Sequence, residues 1–162
     1  MNRWFRQAIV ASVTCLSFMS AVWAAPPAVK NPKAQRSPII HRVAIQVDQD
    51  DPAVMNLALN NATNVIEYYR AKGEDVSVDV VTYGPGLHML RADTSPVKDR
   101  VKRLKDMAFP STIQFSACNN TKENMEKKEG RSVSVLSEAV VVPSGVVRLM
   151  ELQEKGWSYV RP

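Results

Sequence analysis

The sequence contains few of the residues that build disulfide frameworks or metal centres. Its 162 residues include two cysteines and two histidines. Cys15 lies within an apolar N-terminal segment, which leaves Cys118 without a partner in the rest of the chain. The composition therefore predicts no intrachain disulfide, no metal site and no bound cofactor. A single thiol in an exported chain either pairs between molecules or remains a free reactive group.

Long apolar runs are also scarce, and the longest lies at the N-terminus. In "MNRWFRQAIVASVTCLSFMSAVWAAPP", Arg3 and Arg6 precede an apolar run over residues 8–22, and small residues follow. This pattern predicts a signal peptide over residues 1–24 and a periplasmic location. Because no other segment approaches the length of a bilayer span, we expect no membrane attachment after cleavage.

The excess of positive charge is small. The formal net charge of +5 falls to +3 when the predicted signal peptide, with Arg3 and Arg6, is removed. Lysine and arginine are interspersed with acids, as in "VKDRVKRLKD", which is typical of solvated helix faces rather than of a phosphate-binding stripe. We therefore expect no nucleic-acid partner.

Residues 25–38 are rich in proline, which predicts a flexible leader. Residues 39–162 have the length of one domain, and we predict a single domain there.

Strand patterns alternate with helix patterns through this domain. Strand patterns occur in "HRVAIQV", "DVSVDVVTYG", "STIQFSAC", "EAVVVPSG" and "WSYV". Helices are predicted from Pro52 to Tyr69, over 87–91 and 97–107, and in "VVRLMELQEKG". Asn120, followed by Glu123, resembles a capping box that opens one more helix. The alternation predicts a three-layer α/β/α sandwich with a mostly parallel sheet.

Cys118 occupies the predicted turn between the third strand and the helix after it. The first amides of a helix have no partner within it, and together with the helix dipole they favour an anion such as a thiolate. Asn120 and Thr121 add polar groups that could hydrogen-bond to the sulfur or to a substrate. Since the last residue of a strand is less often buried on all sides, we expect Cys118 to be reachable.

The turn "YGPGLHML" after the second strand is predicted to lie at the same edge of the sheet. Gly84 and Gly86 permit backbone angles that other residues resist, and Pro85 between them fixes the turn. His88 follows, where it is either an ordinary surface residue or a group that accepts a proton or, with the sulfur, holds a soft metal such as copper. We therefore consider Gly84, Gly86, His88, Asn120 and Thr121 as candidate binding residues around Cys118.

Four stretches of the chain resemble the exported branch of the DsrE/DsrF-like family. They are "VAIQVDQDDPAVMNLALNNATNVIEYY", "VSVDVVTYGPGLHML", "FSACNNT" and "VPSGVVRLMELQEKGWSYVRP". The most specific elements are the "VTYGPGL" turn, the Ala-Cys pair followed by Asn120 and Thr121, and the closing "LQEKGWSYVRP". The resemblance covers residues 40–162, the whole predicted domain.

This resemblance implies a DsrE-like three-layer domain that assembles as a homo-oligomer, a trimer or a hexamer. It also implies a sulfur (persulfide) carrier or sulfurtransferase-like relay component, with Cys118 as the acceptor. Its partners would be a sulfur donor or acceptor protein or a small thiol. Two alternatives remain open from the residues: a non-catalytic module that binds a small molecule, a metal or a protein, and an oligomeric scaffold.

Overall fold

The computed structural model describes residues 40–162, which fold around one five-stranded sheet. The strands are β1 (Ile40–Val47), β2 (Asp75–Thr82), β3 (Thr112–Cys118), β4 (Ala139–Val142) and β5 (Ser158–Val160). Their order is β4-β3-β2-β1-β5, and every neighbouring pair runs parallel. The predicted signal peptide (1–24) and leader (25–38) lie outside the described residues.

Four α-helices connect the strands. They are α1 (Pro52–Ala71), α2 (Lys98–Met107), α3 (Asn119–Glu129) and α4 (Gly145–Glu154). Helix α1 begins as predicted, because Asp51 accepts a hydrogen bond from the Ala53 amide at 2.7 Å and Pro52 takes the first helical position. A 3₁₀ helix, Gly84–Leu90, forms the turn after β2. None of the helices within 40–162 combines the length and the apolarity that a bilayer span requires.

The helices cover the two faces of the sheet unequally. Alternate residues of β1, β2 and β3 form the larger core with α1, α2 and the 3₁₀ helix, and Met125 of α3 packs on the same side. Within residues 40–162, α4 is the helix on the opposite face, where it buries Leu149 and Leu152 against Ala44 and Val81. The predicted three-layer α/β/α sandwich with a parallel sheet is therefore confirmed.

The predicted cap of α3, Asn120, lies two residues after the observed cap. Cys118 occupies the N-cap position, so Asn120 lies inside the first turn and does not form a capping box with Glu123. The partner of Glu123 is Asn119, whose side-chain amide donates to it at 2.7 Å. Cysteine is not among the residue types that usually cap a helix, so the pattern of residue types points to the asparagines that follow it.

Candidate functional site

Cys118 lies where two helices begin, at the ends of adjacent strands. It is the last residue of β3 and pairs with Val142, the last residue of β4. The next helices leave on opposite faces of the sheet, because α3 packs beside the larger core and α4 covers the other face. In open α/β sheets, such a reversal of direction creates the crevice in which ligands commonly bind.

Polar groups at the starts of both helices act on the pKa of the Cys118 thiol. Burial of Cys118 by itself would raise the pKa of its thiol. The hydroxyl of Thr121 lowers the pKa, as do the backbone N–H groups of Gly145, Thr121 and Asn120, and their combined effect exceeds that of burial. The thiol pKa is therefore below its ordinary value. The side chain of Cys118 does not accept the hydrogen bond that an N-cap side chain usually accepts from the first turn of a helix. These groups therefore act through their joint electrostatic attraction for the thiolate.

The turn after β2 holds the Thr121 hydroxyl in place. The backbone N–H of Gly84 donates to Thr121 Oγ1 at 2.9 Å. Since one lone pair of Oγ1 is used by this bond, the hydroxyl proton is free to point at the sulfur. Gly84 has φ +53°, a left-handed conformation that glycine adopts without strain.

Comparisons with known proteins identify the family to which this fold belongs. The model of the DsrE/DsrF-like family matches residues 41–162. The chain belongs to the DsrE/DsrF-like family. Its structure is similar to MTH1491, a protein of unknown function from Methanobacterium thermoautotrophicum, with a TM-score of 0.61 and 32% identity, over 75% of this chain and 99% of that one. No curated protein matches the sequence.

Two further glycines bring backbone into close contact around the site of this DsrE/DsrF-like protein. A Cβ at position 86 would overlap the carbonyl of Val47 and lie 2.8 Å from the Asp48 nitrogen, so the turn packs directly on the end of β1. A Cβ at position 145 would lie 2.8 Å from Tyr83 Cβ. Gly145 thus lets α4 begin close to the turn that also positions Thr121.

The structure separates the candidate residues into two groups. Thr121 acts on the Cys118 thiol and is held by Gly84. Asn120 is exposed, and its backbone N–H lowers the thiol pKa while it also donates to the Pro143 carbonyl at 3.3 Å. The contacts of His88 lie elsewhere: its Nδ1 is 3.3 Å from Thr94 Oγ1 and its Nε2 is 3.9 Å from Asp50 Oδ2.

The expectation that Cys118 is reachable is not met in this DsrE/DsrF-like fold. The residue is 4% exposed, because the β3–β4 pair and the starts of α3 and α4 enclose it. The Thr121 hydroxyl and nearby backbone N–H groups nevertheless lower the thiol pKa, so the residue is not buried among hydrocarbon alone. Elsewhere in residues 40–162, no group of three or more His, Cys, Asp or Glu side chains is arranged to hold a metal ion.

Sequence reasoning missed Gly145 as part of the site. The signal available was the Ser144-Gly145 pair at a strand-to-helix turn, where Ser144 caps α4 by accepting from the Val147 amide. That turn is 27 positions from Cys118 along the chain. It becomes relevant only when β4 is known to pair with β3.

Proposed function

We propose that this DsrE/DsrF-like protein is an exported sulfur carrier that accepts a sulfane sulfur on Cys118 and passes it on as a persulfide. The observation that carries the proposal is a thiol with a lowered pKa at the joint N-termini of α3 and α4. A thiolate is the nucleophilic form of cysteine, and polar hydrogens at helix starts increase its share at neutral pH.

The proposed chemistry is a transfer between sulfur atoms without net oxidation. The Cys118 thiolate attacks the terminal sulfur of a persulfide donor, R–S–SH, and forms a new S–S bond. The S–S bond of the donor breaks and its inner sulfur leaves as the thiolate R–S⁻, so that Cys118 carries S–SH. An acceptor thiolate then takes the terminal sulfur in the same way and regenerates the Cys118 thiolate. Because Cys118 is the only cysteine besides Cys15, the acceptor is a small thiol, another protein or another subunit.

Mass spectrometry of the protein lacking residues 1–24 tests this proposal. The reduced protein is incubated with polysulfide, with thiosulfate or with a low-molecular-weight persulfide, and the mass of the intact chain is measured. We expect added sulfur atoms that a reductant removes, and we expect none on Cys118→Ser. Thr121→Val serves as a variant that keeps the thiol and lowers its reactivity. Equal sulfur addition to Cys118→Ser would refute the proposal.

The burial of Cys118 favours one second candidate, a non-catalytic module of the same fold that binds a small molecule or a protein. In that case, the 4% exposure reflects a packed thiol rather than a transient acceptor. Sulfur addition then fails with all three donors, while alkylation of the native protein remains slow at every pH. A thiol that alkylates rapidly at neutral pH excludes this candidate.

We further propose that the protein works in the periplasm as a homo-oligomer, a trimer or a hexamer. A patch of apolar side chains next to the site supports this, because each of them is about half exposed. The patch consists of Val140, Val141, Val146, Val147 and Met150. Light scattering after gel filtration tests it, and we expect Val147→Asp to reduce the mass. Phe109→Asp is the control, because Phe109 is 85% exposed and lies outside this patch. A monomer at micromolar concentration would contradict the proposal.

A further inference from the structure

A buried carboxylate on the α4 side of the sheet links β3 to α4. Asp79, on β2, is fully buried. Its Oδ1 accepts a hydrogen bond from Ser116 Oγ at 2.7 Å. Its Oδ2 accepts two from Arg148, at 2.9 Å from Nε and 2.7 Å from Nη2. Ser116 lies two residues before Cys118, on the same face of β3. Arg148 lies three residues after Gly145, so that both belong to the beginning of α4.

The apolar residues of α4 do not by themselves define which face of this helix meets the sheet. Leu149 and Leu152 are buried, but three other apolar residues are about half exposed on the other side: Val146, Val147 and Met150. A helix with apolar side chains on two faces can bury either of them at a similar gain. The guanidinium group of Arg148 can reach the buried carboxylate of Asp79 in only one of these orientations. The ion pair therefore selects the orientation of α4 that buries Leu149 and Leu152.

We propose that the ion pair between Asp79 and Arg148 positions the first turn of α4 and thereby holds the Gly145 N–H against the sulfur of Cys118. This inference rests on the proposed role of Cys118 as a thiolate. Asp79 is suited to the task because it bonds at the same time to Ser116 on the strand that ends in Cys118. One carboxylate thus bonds both to the strand that ends in Cys118 and to the helix that begins at Gly145.

The surroundings of Asp79 support this role. Burial raises the pKa of Asp79, and hydrogen bonds from Ser116 and Arg148 oppose that rise. The other cation that acts on the carboxylate is Lys105 of α2, whose Nζ donates to the Ile113 carbonyl at 2.7 Å. Without Arg148, Oδ2 would keep only the longer bond from Gln114 Nε2 at 3.4 Å, and the buried carboxylate would take up a proton or draw in water.

The test is the pH dependence of Cys118 alkylation by iodoacetamide in Asp79→Asn and Arg148→Met, measured without any sulfur donor. We expect the rate profile of both variants to shift to higher pH, with a several-fold lower rate at neutral pH. The limiting rate at high pH should be unchanged, because the thiolate itself is intact. Arg148→Lys keeps the positive charge but lacks the planar guanidinium group that donates twice to Asp79. We expect its rate profile to lie between those of the unaltered protein and Arg148→Met. If Arg148→Met does not fold, Arg148→Lys and Asp79→Asn carry the test.

Leu104→Ala provides the control for a general loss of stability, because Leu104 is buried in the core on the opposite face of the sheet. We expect it to lower the urea midpoint while it leaves the alkylation profile unchanged. Unchanged profiles in Asp79→Asn and Arg148→Met, or an equal shift in Leu104→Ala, would overturn the inference. If the profiles shift but Cys118 takes up no sulfur, the proposed function fails and the positioning role stands.

Discussion

The backbone N–H of Gly84 donates to Thr121 Oγ1 at 2.9 Å, and this bond connects the turn after β2 to the first turn of α3. It leaves the Thr121 hydroxyl proton available for Cys118, where the hydroxyl lowers the thiol pKa. The bond crosses the carboxyl edge of the sheet, between segments that lie 37 residues apart. The pKa of the Cys118 thiol therefore depends on a turn that is distant in sequence.

Thr121→Val should make Cys118 less reactive. Valine keeps the shape of threonine but removes the hydroxyl that lowers the thiol pKa. A lost hydrogen bond of about 0.5–1.5 kcal/mol corresponds to a roughly two- to tenfold lower alkylation rate at neutral pH. The measurement is the pH-rate profile with iodoacetamide. Thr121→Ser keeps a hydroxyl, so its pH-rate profile should remain close to that of the unaltered protein. Identical profiles of Thr121→Val and Thr121→Ser would argue against this role of the hydroxyl.

The reactivity of Cys118 should depend strongly on the size of the reagent. The residue is 4% exposed, so we expect a small reagent such as iodoacetamide to require less movement of the surrounding backbone than a large one. A bulky aromatic disulfide requires the starts of α3 and α4 to separate. We expect the rate ratio of the small to the bulky reagent to be about tenfold or more above that of free cysteine. In urea the ratio should return to that of free cysteine. Equal ratios in the native and unfolded protein would indicate an open thiol.

Gly145→Ala should weaken the contact between α4 and the sulfur. The new Cβ would lie 2.8 Å from Tyr83 Cβ and 3.1 Å from its Cδ1, so the start of the helix must move away. The N–H of residue 145 would then contribute less to lowering the thiol pKa. We expect the alkylation profile to shift to higher pH. Gly156→Ala is the matched control, because its Cβ meets open space although φ is +80°, and its profile should not change.

Gly86→Ala should destabilise the fold through a steric conflict rather than through strain in φ. The added methyl would overlap the Val47 carbonyl, which is backbone and cannot rotate away. Overpacking of this kind costs about 1–3 kcal/mol of unfolding free energy. Gly73→Ala should cost about 1 kcal/mol, because its φ is +68° but its Cβ meets nothing within 4 Å. Urea unfolding of both variants compares the two costs, and an equal or smaller loss for Gly86→Ala would contradict this explanation.

The Arg91 cluster should make stability fall at acid pH. Arg91 is buried and binds Asp93 and Glu129, which lowers the pKa of both carboxyls from ordinary values of 3.8 and 4.5. Because the pKa values are lower in the folded state, the stabilisation is present above the unfolded values and is lost as pH falls below them. Asp93→Asn should therefore lose stability at neutral pH and show a smaller further loss on acidification.

Urea unfolding at neutral pH and below pH 4 measures this difference. Asp106→Asn is a suitable control, since Asp106 is exposed on α2. Its loss of stability on acidification should match that of the unaltered protein. A loss in Asp93→Asn as large as in the unaltered protein would contradict the assignment of the acid lability to this cluster.

The local structure of this protein followed from local signals in the sequence. The Asp51-Pro52 pair predicted the start of α1, because a cap and a fixed φ act within a few residues. The alternation in "DVSVDVV" predicted β2 for the same reason, since side chains of a strand point alternately to its two faces. The position of Cys118 at the end of β3, before a helix, was likewise visible in the sequence.

Which groups surround Cys118 was decided only by the tertiary structure. The pairing of Cys118 with Val142 brings the start of α4 to the sulfur, and α3 and α4 begin there on opposite faces of the sheet. These contacts join residues more than 20 positions apart and arise from the order of the strands, which no local pattern encodes. The sequence determined that a thiol stands at a helix start, and the fold determined that a second helix start buries it and stabilises its thiolate.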